Sequence, residues 1–406
     1  MTSSEGAIDL FGPDMLRDPY AAYARLREID PVHWSPALDS WVLTRFADVS
    51  TALHDVRFSS TLPAPAGSDD SVGAGVADVL SRTYTFVSSS LVFSDPPEHT
   101  RLRRLVSRAF APGVVEQLSD VIAATTETLV TRDGDRLDVV ADLAEPLPMT
   151  MLGELLGVRL SDTDRRKIKT ACDDFLLPFG RDPATLDDAE IARAGSAGRE
   201  LDDFVDTVLD RPPREDDVVG RLLAGEAEDR LSRRELYANI VLFLVAGHEN
   251  LTSLLGNGTA ILLGLSDVRR AVRDDPELWP AVVDELLRLV TPNQFIRRQA
   301  REDVTVDSRT IRAGRSVLLV LAAADRDPER YPDPDRFELS RPDRRDLSMG
   351  LGRHYCLGAP LARLETRVAL RILFERYPDV RPAETQLDWV PNFNVRLLRA
   401  LPVITG

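Results

Sequence analysis

Apolar side chains recur every three or four residues through most of 101–290 and again through 358–377, the period of a helix with one buried face. Strand-like runs are short by comparison: 41–44, 304–306, 317–321 and the tail. The chain is therefore expected to be mainly α with small β-sheets. Its 406 residues, 43% of them apolar, are enough to build a deep core. Prolines and glycines make 59–76 read as a long loop of the kind that often serves as a lid, and 178–183 and 211–218 read as irregular connections.

Charge and cysteine content exclude several classes. A net charge of −16 argues against a nucleic-acid partner, since sequence-independent binding needs Lys and Arg on phosphates. The two cysteines, Cys172 and Cys356, are far apart and form no CxxC pair, so neither a disulfide framework nor a structural zinc site is read, which fits a reducing cytoplasm. Met1–Tyr20 shows no charged segment followed by an apolar run. The longest unbroken apolar stretch, Ile240–Ala246, is far short of the roughly 20 residues that cross a bilayer, and no membrane association is expected.

Cys356 lies in the segment Ser-Met-Gly-Leu-Gly-Arg-His-Tyr-Cys-Leu-Gly-Ala-Pro (348–360), just before a helical pattern carrying Leu361, Leu364, Val368 and Ile372. The positive end of a helix favours a thiolate over a thiol, and a thiolate is an axial ligand for haem iron. Gly350, Gly352 and Gly358 carry no Cβ and would let the backbone pass close to a flat cofactor. A small buried hydrophobe is the other reading of a lone cysteine.

Three further patterns each admit two readings. Ala246-Gly247-His248-Glu249-Asn250 interrupts the apolar face of a long helix. Gly247 there either permits a kink or a ligand's approach, or simply seats a neighbouring helix. Glu285 and Arg288 can meet on the helix Pro280–Val290, as many surface pairs do. Asp95-Pro-Pro-Glu-His-Thr-Arg opens a helix on which His99 and Arg103 share a face, suited either to an anion or to solvent.

Together these patterns closely resemble the soluble bacterial type of the cytochrome P450 superfamily, the haem-thiolate monooxygenases. The resemblance runs from Asp18-Pro19-Tyr20 to Leu401-Pro402-Val403, with the segments at 95–103, 246–249, 285–288 and 352–358 in the family's order. It implies one catalytic domain over 1–406: a triangular, mainly helical fold with haem b between the long distal helix and the helix after the cysteine loop. Cys356 becomes the iron ligand. His99, Arg103, Arg298 and His354 match propionate-binding positions, for which charge-assisted hydrogen bonds suit such side chains. Gly350 and Gly358 flank the cofactor. Glu285, Arg288 and Arg336 match an ion-pair triad that braces the cysteine loop, a structural role.

The resemblance further implies activation of O2 with two electrons and two protons, acting on a small organic substrate in a secondary-metabolite tailoring step. Electrons would come from a separate ferredoxin and ferredoxin reductase, docking on a basic patch of Arg104, Arg108, Arg353 and Arg363. Phe86 and Val87 in a loop, with Ala246, Asn293, Ile296, Asn394 and Val395, match substrate-facing positions. A cytoplasmic monomer is expected. Met349 stands where the family usually has Phe, and Asn250 where the acid–alcohol pair beginning at Glu249 usually ends in Thr. An amide hydrogen-bonds but carries protons poorly, so ordered water, Glu249 or a polar substrate group must complete the relay. The same departure raises the weight of oxidative C–N or C–C coupling beside hydroxylation. His248 is expected to contact neighbouring helices. A peroxide-driven haem-thiolate peroxygenase and a non-catalytic haem sensor are the rival readings.

Overall fold

The computed structural model describes residues 13–406 apart from 62–73, 111, 132–133, 178–185, 213–217 and 224–229. The segment 178–183 lies outside the described residues, as do most of 59–76 and of 211–218. The fold is mainly helical with small sheets, as the periodicity indicates, and the chain divides into two compact units.

One unit comprises Met1–Ser59, Thr126–Ala144 and Glu249–Gly406. It holds a five-stranded sheet whose strands run, edge to edge, Val32–Ser35, Ser40–Leu43, Ser316–Leu319, Ile296–Ala300 and Phe58–Ser59. Ser316–Leu319 pairs parallel with Ser40–Leu43, matching Leu318 to Val42, and antiparallel with Ile296–Ala300, matching Val317 to Arg298. Alternate side chains enter different cores: Leu43, Val317 and Leu319 join one cluster with Val49 and Leu347, while Val42, Leu318 and Val320 join another with Tyr23 and Leu26. Covering on both faces explains why 317–321 reads as a continuous apolar run rather than an alternating one. The helix Trp279–Val290 starts with a proline in its first turn and stops at Thr291, whose φ of 38° is left-handed.

The other unit comprises Ser60–Thr125 and Glu145–His248 and is built from helices. Ser161 with Asp164, and Asp187 with Glu190, form reciprocal caps that start Asp162–Phe175 and Asp188–Asp210. The 31-residue helix Arg233–Leu263 continues unbroken through 246–250. A Cβ at Gly247 would sit 2.9 Å from Leu152 Cδ2 on the helix Pro146–Leu155, so this glycine seats a neighbouring helix. Length and hydropathy alone would let that helix cross a membrane, yet 67% of its most apolar window is buried inside the protein.

Candidate active site

The loop carrying Cys356 is closed by its own backbone. Gly350 N–H donates to the Leu347 carbonyl at 2.8 Å, Cys356 N–H to the Met349 carbonyl at 2.8 Å, and Tyr355 N–H to the Gly352 carbonyl at 3.1 Å. Gly350 and Gly352 adopt φ of +68° and +70°, a left-handed backbone that side chains resist. At Gly352 a Cβ would also stand 3.0 Å from His54 Nδ1 and 3.2 Å from the Leu53 carbonyl. This glycine packs against the helix Phe46–His54.

Gly358 has an ordinary φ of −82° and caps the helix Ala359–Arg376. A Cβ there would lie 4.0 Å from Cys356 Sγ, so the half-buried Cys356 thiol sits beside that helix's N-terminal cap. The helix end places partial positive charge where a thiolate needs it. His354 closes the short turn Gly352–His354 that precedes the cysteine.

Below this loop is a buried ionic cluster. Glu285, Arg288 and Arg341 are 2%, 1% and 7% exposed, too little for water to hydrate their charges. Glu285 Oε1 accepts from Arg288 Nη2 at 2.7 Å, Arg341 Nε at 2.9 Å and the Glu338 N–H at 3.0 Å. Arg288 Nη1 donates to the Asp325 and Pro334 carbonyls, and Arg341 Nη1 and Nη2 to those of Pro332 and Asp333. The expected triad of Glu285, Arg288 and Arg336 is therefore corrected: Arg341 is the third member. The Arg336 side chain is 71% exposed and 3.9 Å from Glu338, and only its carbonyl joins the cluster, accepting from both arginines. Full burial of a guanidinium needs a ring of carbonyl acceptors, which Arg341 finds and Arg336 does not.

Two buried acids, missed in the sequence, tie this cluster to the loop. Asp325 accepts the Leu347 N–H at 2.7 Å and the Thr291 hydroxyl at 3.1 Å. Asp346 accepts the Ser348 N–H at 2.9 Å, and Arg363 Nη2 stands 3.9 Å away. Burial, then the nearby Asp346, pushes the Asp325 carboxyl well above the usual range, and burial raises Asp346 as well. No sequence signal marks either, since acids in Arg-rich loops are normally solvated.

Arg298 lies on the strand Ile296–Ala300, 9% exposed, with Nη1 donating to the Arg297 carbonyl at 2.9 Å. Close by in the chain, Asn293 forms an isolated bridge with Val395, and the Asn394 carbonyl accepts the Gln294 N–H at 2.7 Å. Asn392, passed over in the sequence, organises this corner by accepting the N–H groups of Asn394 and Val395 at 3.0 Å. Asn293 Oδ1 is buried and meets no donor among the described residues. Ile296 is half-buried and pairs with Leu319.

The helical unit carries His99, Arg103, Phe86, Val87 and Ala246. His99 is 3% exposed in the first turn of Glu98–Ala109, and Arg103 follows one turn later on the same face. Phe86 and Val87, expected in a loop, lie instead on the helix Ala74–Ser89 and are buried. Phe86 meets Phe175 edge-on, ring centroids 5.5 Å apart. Ala246 is exposed. His248 Nδ1 is 2.7 Å from the Leu244 carbonyl one turn back on its own helix, and Nε2 stands 3.5 Å from Asp173 Oδ1 on Asp162–Phe175. Burial works to raise the Asp173 carboxyl, but His248 and Lys169 outweigh it and hold it below the usual range. Glu249 and Asn250 are half-buried. Thr252, the next hydroxyl along, donates to the Ala144 carbonyl at 3.0 Å and is thereby committed elsewhere.

The family model of cytochrome P450 matches residues 199–394. Over 99% of the chain, and 95% of the relative, the sequence is 36% identical to cytochrome P450 monooxygenase PikC of Streptomyces venezuelae. The chain belongs to the cytochrome P450 family. It is also 36% identical to the mycinamicin IV hydroxylase/epoxidase of Micromonospora griseorubida, over 94% of each chain. Among solved structures it is similar to the cytochrome P450 CxnD, described as acting in C–S bond formation in chuangxinmycin biosynthesis, with a TM-score of 0.82 and 29% identity over 99% of this chain and 98% of that one. This cytochrome P450 is accordingly a haem-thiolate monooxygenase whose cofactor, protoporphyrin IX iron, takes a cysteine as axial ligand. The donor set fits that group: a soft sulfur beside a helix N-terminus, next to a glycine, in a loop fixed by a buried ionic cluster.

Proposed function

We propose that Cys356 is the cysteine that binds the haem iron, that His99, Arg103, Arg298 and His354 hold the propionates, and that Gly350 and Gly358 flank the cofactor. The observation that carries this reading is the position of Cys356 Sγ beside the Gly358 cap. The only other cysteine, Cys172, is fully buried within Asp162–Phe175. When bound, haem supplies the reductive activation of O2. The residues 1–406 act as one catalytic domain of a cytoplasmic monomer.

The substrate is a natural product of moderate polarity, oxidised in a tailoring step by hydroxylation or by oxidative C–N or C–C coupling. The open acceptor of Asn293 supports a substrate that presents a hydroxyl or amine to it. Asn250 supports the coupling outcome, because neither its amide nor the committed Thr252 hydroxyl passes protons readily. Glu249 and a polar substrate group or ordered water complete the relay. Incubating the reduced enzyme with candidate metabolites and identifying products by mass tests this; oxygen-incorporated or coupled products are expected.

Electrons arrive from a separate ferredoxin and its reductase. A recess of about 840 Å³ lined by His54, Arg344, Arg345, Met349, Tyr355 and Arg363 adjoins the cysteine loop and supports an acidic donor there. Arg363 is already paired with Asp284 and Arg345 with Asp343, so Arg344 is added to the docking charges. Turnover with reduced ferredoxin but not with peroxide is the expected result.

A further inference from the structure

In the helical unit, Ala74–Ser89 packs along Asp188–Asp210. Glycines face side chains at successive rungs. A Cβ at Gly75 would be 3.5 Å from Ile191 Cγ2, one at Gly195 would be 3.7 Å from Val79 Cγ2, and one at Gly198 would be 2.7 Å from Arg82 Cδ. The last contact is impossible for any residue with a Cβ unless Arg82 moves. The stem of Arg82 therefore fills a notch that Gly198 leaves open, and its head is gripped on both sides. Nε lies 3.0 and 3.1 Å from the two Asp78 oxygens one turn back, and Nη1 reaches Asp202 on the other helix. Arg199 Nη1 returns the bridge from that helix to Asp78 at 3.7 Å.

Val79, Arg82 and Phe86 occupy one face of the helix at i, i+3 and i+7. The rung at Arg82 thus sets the height and rotation at which Phe86 is presented, one turn further on. The far end is held differently: Arg234 Nη2 donates to Thr85 Oγ1 at 3.0 Å, and the Asn239 amide donates to the Ser89 carbonyl at 3.3 Å.

We propose that Arg82 is a positioning residue for substrate binding: seated in the Gly198 notch and paired with Asp202, it holds the Ala74–Ser89 helix so that Phe86 and Val87 form a fixed wall of the pocket. This rests on the reading of Phe86 and Val87 as substrate contacts. The Arg82 and Asp202 side chains are 25% and 39% exposed, so salt reaches the pair and weakens it.

The test uses the haem-loaded enzyme and two iron-binding probes followed by the haem spectrum. Imidazole reaches the iron without filling the pocket, and 4-phenylimidazole adds a ring that must meet its wall. Arg82→Ala and Asp202→Asn should each raise the Kd of 4-phenylimidazole about two- to fivefold, the range of a part-exposed ion pair, and leave that of imidazole unchanged. The double variant should be no worse than either single, and Arg82→Lys should recover part of the loss. High salt should weaken 4-phenylimidazole binding in the wild type but not in Arg82→Ala. If Phe86→Ala weakens 4-phenylimidazole while both ion-pair variants and salt leave it unchanged, the role of Arg82 is overturned and the contact reading stands. If Phe86→Ala also has no effect, both fall. Should Arg82→Ala fail to fold, Asp202→Asn and the salt series still decide.

Discussion

Arg341 Nε donates to Glu285 Oε1 at 2.9 Å with both side chains buried, and Arg336, five residues earlier, turns its guanidinium to solvent. Removing Arg341 leaves the buried Glu285 carboxylate with Arg288 as its one charged partner and empties a ring of carbonyl acceptors. Arg341→Ala should cost about 3–5 kcal/mol of stability in urea unfolding. Arg336→Ala should stay within about 0.5 kcal/mol of the wild type, because its carbonyl, which the cluster uses, is unchanged. Equal losses would contradict the assignment.

The buried acids make stability depend on pH with a definite sign. Burial, reinforced by Asp346, raises the Asp325 carboxyl well above its ordinary value. The fold therefore keeps a proton that the unfolded chain releases near pH 3.9, and this contribution is fully present below that pH and lost as pH rises through the raised folded value. Arg288 and Arg363 from their helices, Tyr331, Tyr355 and the Ser348 hydroxyl also face the pair and set how far the loss extends. Asp325→Asn keeps an acceptor for the Leu347 N–H and removes the titration, so its unfolding free energy should fall less as the pH rises above about 3.9. Parallel curves for the two proteins would count against this.

Gly352 is constrained twice, by its φ of +70° and by His54. Gly350 is constrained by φ alone, since a Cβ there would stand 3.6 Å from its nearest neighbour, the His354 carbonyl. Alanine at Gly350 should cost about 1–2 kcal/mol, and at Gly352 about 1–3 kcal/mol more through crowding. Thermal unfolding of the two variants measures the difference, and equal shifts in Tm would remove the packing argument.

At Asn250 the expectation concerns efficiency. If a substrate group or water carries the proton past the amide, Asn250→Thr should leave product formed per electron consumed within about twofold, and Glu249→Gln should lower it sharply. A large gain from Asn250→Thr would show that the missing hydroxyl limits the relay.

Local signals were legible in the sequence where chemistry and backbone needs coincide. Cys356 before a helix start and Glu285 three residues from Arg288 are such cases. Arg341 was not legible, because nothing local separates it from Arg336; the choice is made by carbonyls converging from 325 to 336. The helix around Phe86 was hidden for a related reason. Its Ser, Thr and Gly content suits a loop, and helicity comes from packing on Gly195 and Gly198 of a distant segment. Asp325 and Asp346 became visible only when burial joined residues that sequence separates.

The central claim is that Cys356 is the iron's thiolate ligand. The reduced, carbon-monoxide-bound absorption spectrum tests it most directly, with Cys356→Ser and Cys172→Ser compared against the wild type. The thiolate signature should appear in the wild type and in Cys172→Ser and vanish in Cys356→Ser. Its absence from the wild type, or its persistence in Cys356→Ser, would contradict the assignment.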